Sequence, residues 1–241
     1  KALIIKPDSY ELLFLHGSIT IDSDYKFRTL EEAIKSLEKA HQIFPDSLMI
    51  NYYLSVAYSK NNDKEKALKY AHGAIDGRLD EPFVNNYIGS LYLKYDMPKE
   101  AVEAYKRAVS KSSDDAVLLN NLSFLLLELN ESLPQALELA KRSVELLPNQ
   151  IFNKDTLAWA YYKNGRYIEA LEEINAIRDV VDESPEIHFH YIMILNSMSL
   201  LKNPIDLLNK LLADPEVILN KSLTNSIHLA RDKIYAESQH D

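Results

Sequence analysis

The feature that most constrains this chain is a recurring pair of small residues. Ser55 with Ala67, Gly89 with Ala101, and Ala158 with Ala170 each stand 12 residues apart, and Ser123 with Ala136 stands 13 apart. The first members follow one another at intervals of 34, 34 and 35. Small residues at such a spacing mark places where two helices joined by a short turn can touch. A second register runs between them: Asn62, Asp96, Asn130 and Gly165, again 34, 34 and 35 apart. Glycine, asparagine and aspartate are the residues that best tolerate the left-handed backbone region, so one geometric demand accounts for all four. An earlier pair, Gly17 and Ala33, is 16 apart, and its extra four residues fall around Asp22 to Lys26. A unit this short cannot bury its own apolar face and has to stack on its neighbours.

Prolines close the units. Pro7, Pro45 and Pro148 follow helical patterns and stop them, with Leu79 and Ser113 at the equivalent positions between. These registers predict five helix pairs over 10–184, bounded at 10–47, 48–81, 82–115, 116–150 and 151–184. The opening KALIIKP places Ala2 and Pro7 in register with Ala40 and Pro45. Residues 1–9 therefore read as the end of a truncated preceding repeat, and the natural protein is expected to continue upstream. Over 185–241 the pattern decays: Ile192 and Pro204 take the small-pair positions. A degenerate sixth repeat and a solvated C-terminal capping helix are expected there.

The residues Leu157, Ala158, Tyr161, Gly165 and Ala170, with Ile88, Gly89, Tyr92, Ala101, Tyr105 and Ala108, carry a resemblance to the tetratricopeptide repeat (TPR) family. The resemblance implies an all-α, right-handed superhelical solenoid of antiparallel helix pairs, with a concave groove lined by the first helices. Residues 120–170 also look like a tandem common in bacterial envelope and exopolysaccharide-associated TPR proteins.

Composition narrows the partners. The formal net charge is −9, which disfavours phosphate backbones and anionic membrane surfaces, so nucleic acid is not expected. Cysteine is absent, excluding disulfides and thiolate metal sites. No apolar run is long enough to span a bilayer. The chain carries no P-loop, nucleophile elbow or zincin motif. His188 and His190 are two apart and diverge on a helix, so they cannot share a metal. No catalytic residue, metal or cofactor is expected.

The groove stripe of the resemblance falls on Tyr52 and Val56, Asn86 and Ser90, Asn120 and Phe124, Asp155, Trp159 and Tyr162, and Phe189. Stacked asparagine amides can hold an extended backbone, since an amide both donates and accepts. Trp159, the single tryptophan, flanked by Tyr162, Phe124 and Phe152, is expected to anchor an apolar or aromatic side chain. The family's clamp for chaperone tails needs cations where Val56 and Ser90 stand, so that ligand is not expected. The reading is a non-enzymatic scaffold holding an apolar or aromatic peptide segment of a partner protein, in a bacterial envelope or export assembly. Two alternatives stand beside it: a TPR arm of a larger enzyme such as a glycosyltransferase, and a scaffold that associates with itself.

Overall fold

The computed structural model describes residues 9–22, 29–75 and 81–238. The truncated repeat expected at 1–9 and the insert around Asp22 to Lys26 fall almost wholly outside the described residues. Among those described, every regular element is a helix. The chain clusters into two compact units, residues 1–113 and 114–241.

The N-terminal unit holds α1 (Tyr10–Asp22), α2 (Leu30–Ile43), α3 (Leu48–Lys60), α4 (Lys64–Ile75), α5 (Pro82–Lys94) and α6 (Pro98–Lys111). Consecutive helices pack as α1–α2, α3–α4 and α5–α6, and α3 also lies against α1 and α2. Local chemistry sets the starts. The Thr29 hydroxyl accepts from the Glu32 amide while the Glu32 carboxylate accepts from the Thr29 amide, a reciprocal cap. Ser47 caps α3, and prolines occupy the first turns of α5 and α6.

The C-terminal unit holds α7 (Ala116–Glu128), α8 (Leu133–Leu146), α9 (Ile151–Lys163), α10 (Tyr167–Asn175), a 3-10 turn (Arg178–Glu183), α11 (Pro185–Ser197), α12 (Pro204–Leu212), α13 (Pro215–Leu219) and α14 (Lys221–Glu237). Here α9 packs on α7, α8, α10 and α11, and α11 also meets the 3-10 turn, α12 and α14. Ala158, Ala170, Ile174, Val181, Ile187 and Ile194 form one buried cluster.

The small pairs lie where the spacing put them. Ser55, Ala67, Ala101, Ser123, Ala136, Ala158 and Ala170 are fully buried. The two serines also bond across their pairs. Ser55 Oγ donates to the Ala67 carbonyl at 2.9 Å, and Ser123 Oγ donates to the Ala136 carbonyl at 2.7 Å. A buried hydroxyl is thereby satisfied in a site where glycine or alanine serves elsewhere. The turn register is equally clear: Asn62, Asp96, Asn130 and Gly165 have φ of 58°, 58°, 51° and 73°. Ser199, 34 residues beyond Gly165, has φ of 56° and extends that register into the α11–α12 pair.

Two further features belong to the C-terminal unit. The second helix of the 151–184 repeat does not run unbroken: α10 stops at Asn175 and the 3-10 turn follows. Asn175 and the β-branched Val180 and Val181 lower helix propensity. The turn is retained in the fold because Ile177 and Val181 are buried. At the C-terminal end, α14 occupies the register of a first helix, with Leu223, Ile227 and Ile234 buried. Leu229, in register with the buried Tyr58, Tyr92 and Leu126, stands 73% exposed. Leu219 and Tyr235 are exposed as well.

Candidate functional site

The stripe expected to bind is built differently in its two halves. In the N-terminal unit it is a cluster of rings. Tyr52 of α3 makes edge contacts with Tyr53, Phe83 and Tyr87 at centroid distances of 5.1, 5.5 and 5.2 Å. Phe14 of α1 meets Tyr53 at 5.5 Å. The Tyr87 hydroxyl lies 3.4 Å from Ser55 Oγ. Burial pushes its pKa up to about 12 against the opposing bonds from Ser55 and Ser59. Val56 and Asn86 are half-buried. Ser90 is exposed, donating to the Asn86 carbonyl at 3.2 Å and paired with the Tyr105 hydroxyl at 3.0 Å. Tyr52 and Val56 on α3, and Asn86 and Ser90 on α5, are each four residues apart and so share a face of their own helix.

In the C-terminal unit the stripe closes on itself. Asn120 and Phe124 on α7 are half-buried, and Asn120 Oδ1 is buried without a hydrogen-bond partner. Asp155, Trp159 and Phe189 are buried, and Tyr162 is half-buried. Trp159 is only 4% exposed. One face of its indole stacks on Tyr162 at 4.6 Å and 5°, and a second stack forms with His190 at 4.2 Å and 17°. Its Nε1–H donates to Glu128 Oε1 at 3.2 Å. Lys163 Nζ stands 5.1 Å from the ring centroid. The expectation that Trp159 offers a free face to a ligand is therefore corrected: its rings, hydrogen bond and cation are all internal.

What stays accessible along the stripe is its beginning. Phe83, Val117 and Phe152, at the second residue of α5, α7 and α9, are 48%, 51% and 62% exposed. Isolated exposed apolar residues are ordinary, but three at one register position are a pattern of the repeat.

Three lysines at the ends of first helices were not anticipated as a set. Lys60 Nζ donates to the Ile21 carbonyl at 2.8 Å, and Lys94 Nζ donates to the Ser59 carbonyl at 2.7 Å. Lys163 Nζ donates to Asn130 Oδ1 at 2.7 Å. The first two reach back to the C-terminal end of the preceding first helix, where carbonyls lack intrahelical partners and the dipole favours a cation, and Lys163 reaches the turn that follows α7. The signal was present: Lys60, Lys94 and Lys163 share one register position.

His190 was also passed over. Its Nδ1 lies 2.9 and 3.0 Å from the two Asp155 oxygens, and both residues are buried. Burial alone would lower the imidazole pKa. The charge and hydrogen bond of Asp155, with Glu128 and Glu186 adding, outweigh it and hold the pKa above the ordinary 6.5. Among the described residues no group of three or more His, Asp or Glu side chains is placed to hold a metal ion.

Solved structures of TPR type share this fold. YrrB, described as a TPR protein with an unusual peptide-binding site, is 16% identical with a TM-score of 0.64, over 82% of this chain and 96% of its own. PilF of Pseudomonas aeruginosa is 17% identical with a TM-score of 0.63, over 95% and 97%. The Cut9–Hcn1 assembly of the APC/C gives 15% and 0.63, over 93% and 44%. At these identities the likeness is one of fold. No curated protein matches the sequence. The family of ChAPs, the Chs5p-Arf1p-binding proteins, matches residues 77–205. With more than half of its residues so matched, this TPR-type helical repeat chain belongs to the ChAPs family.

Proposed function

We propose that the chain is a protein-interaction scaffold that holds a segment of a partner protein against the first-helix faces, without catalysing a reaction. The partner is of the kind the family description names, Chs5p or Arf1p. The family match at 77–205 spans the 120–170 tandem on which the envelope reading rests. The observation that carries the proposal is the recurrence of exposed Phe83, Val117 and Phe152 at one register position. They supply apolar contact area. Within the N-terminal unit Tyr52, Val56, Asn86 and Ser90 accompany Phe83, and within the C-terminal unit Asn120, Phe124 and Tyr162 accompany Val117 and Phe152. Asp155, Trp159 and Phe189 are buried in that unit.

The test is a titration of purified Chs5p or Arf1p with the parent and with a Phe83→Ser, Phe152→Ser double variant. Both rings are exposed, so far-UV circular dichroism and melting temperature should hardly change. Apolar anchors typically contribute about 1–2 kcal/mol each, so affinity should fall at least about tenfold. An unchanged affinity for a partner that binds the parent would remove this face from the interaction.

A further inference from the structure

We propose that His190, Asp155 and the ring stack they hold form a protonation-controlled joint between α9 and α11. With the imidazole charged, the two helices are clamped, and with it neutral the joint loosens.

The geometry comes first. Asp155 and Trp159 lie one turn apart on α9, and His190 arrives from α11, one repeat later. The imidazole meets the carboxylate at 2.9 Å and the indole at 4.2 Å, so one side chain makes both an ion pair and a stack. Tyr162 continues the stack, and Phe189 touches both Trp159 and His190, at 5.9 Å each. Charged groups from three helices surround it: Glu128 of α7, Asp155 and Lys163 of α9, and Glu186 of α11. From the neighbouring elements, Asn220 ahead of α14 donates to Glu186 at 3.1 Å. Arg178 of the 3-10 turn lies over Tyr191, next along α11.

Loss of the His190 proton leaves the Asp155 carboxylate buried with no cation against it and with Glu128 and Glu186 nearby. A buried charge stripped of its counter-charge is the costly half of such a pair. The folded pKa of His190 is raised, so the stabilisation is complete below the unfolded value of about 6.5. It is lost as pH rises through the folded value. The joint therefore tightens in mild acid and relaxes in mild alkali, within the range where histidine titrates. The inference does not depend on what the scaffold binds.

The single tryptophan reads the device directly, because a charged imidazole stacked on an indole quenches it. Emission from Trp159 should rise in one step with a midpoint above 6.5, and His190→Gln should abolish the step. Asp155→Asn should carry the midpoint downward, since the Asp155 charge and hydrogen bond are the largest influences set against burial. Hydrogen exchange over α11 and α12, corrected for its intrinsic pH dependence, should quicken across the same step. The expected factor is about tenfold for each unit that the midpoint stands above 6.5, while α7 and α8 stay unchanged. If His190→Gln fails to fold, the Asp155→Asn shift decides. No step between pH 5.5 and 9, a midpoint that Asp155→Asn leaves in place, or a step without quickened exchange in α11 would each overturn the proposal.

Discussion

Trp159→Ala is expected to destabilise the C-terminal unit by about 3–5 kcal/mol, the range for removing a large buried ring from a packed site. The side chain is 4% exposed and is held between two rings. Its loss leaves a cavity bounded by Tyr162 and His190 and removes the hydrogen bond that the indole N–H donates to Glu128. Phenylalanine at the same position keeps part of the stack and loses the N–H, so Trp159→Phe should fall between the parent and the alanine variant. Urea denaturation followed by far-UV circular dichroism measures both. Equal midpoints for Trp159→Ala and the parent would mean that the ring is dispensable to the fold and free to serve a ligand.

Gly89→Leu is expected to cost about 2–3 kcal/mol through overpacking. From sequence the clash was expected with Ala101, its partner in the 12-residue spacing. The structure assigns it to another residue on the same helix. A Cβ built on Gly89 would lie 2.6 to 2.8 Å from three ring carbons of Tyr105. That ring is 3% exposed, and its hydroxyl pairs with Ser90, so it has nowhere to swing. Tyr105→Ala should accordingly recover part of the loss in the Gly89→Leu background while destabilising the parent. Simple addition of the two effects would show that the two side chains do not compete for one space.

These two sites mark the limit of what the sequence makes readable. The small pairs and the turn residues were evident because each answers a backbone demand: close approach of two helices, or a positive φ. Asn62, Asp96, Asn130 and Gly165 differ as side chains yet share one backbone state, and the period exposes that state without coordinates. Ser199 shares it too but escaped notice, because serine is not a usual left-handed residue and its repeat has lost the small pair. The identity of the clashing partner at Gly89 depends on where the Tyr105 ring lies, which no spacing reports. The burial of Trp159 depends on His190, 31 residues on, and on the packing of α11 against α9. A tryptophan on a groove stripe and one roofed by the next repeat look the same in a sequence. The Asp155–His190 pair leaves a fainter trace, a carboxylate one repeat ahead of a histidine, and it acquires meaning only once both are seen to be buried.

A partner protein is proposed to lie against the first helices of the repeats. Amide hydrogen exchange of the chain, alone and with purified Chs5p or Arf1p, tests it most directly. Added protection is expected in the opening turns of α5, α7 and α9, around Phe83, Val117 and Phe152, with little change in α6 and α8. Protection confined to α6 and α8, or no binding to either protein, would contradict it.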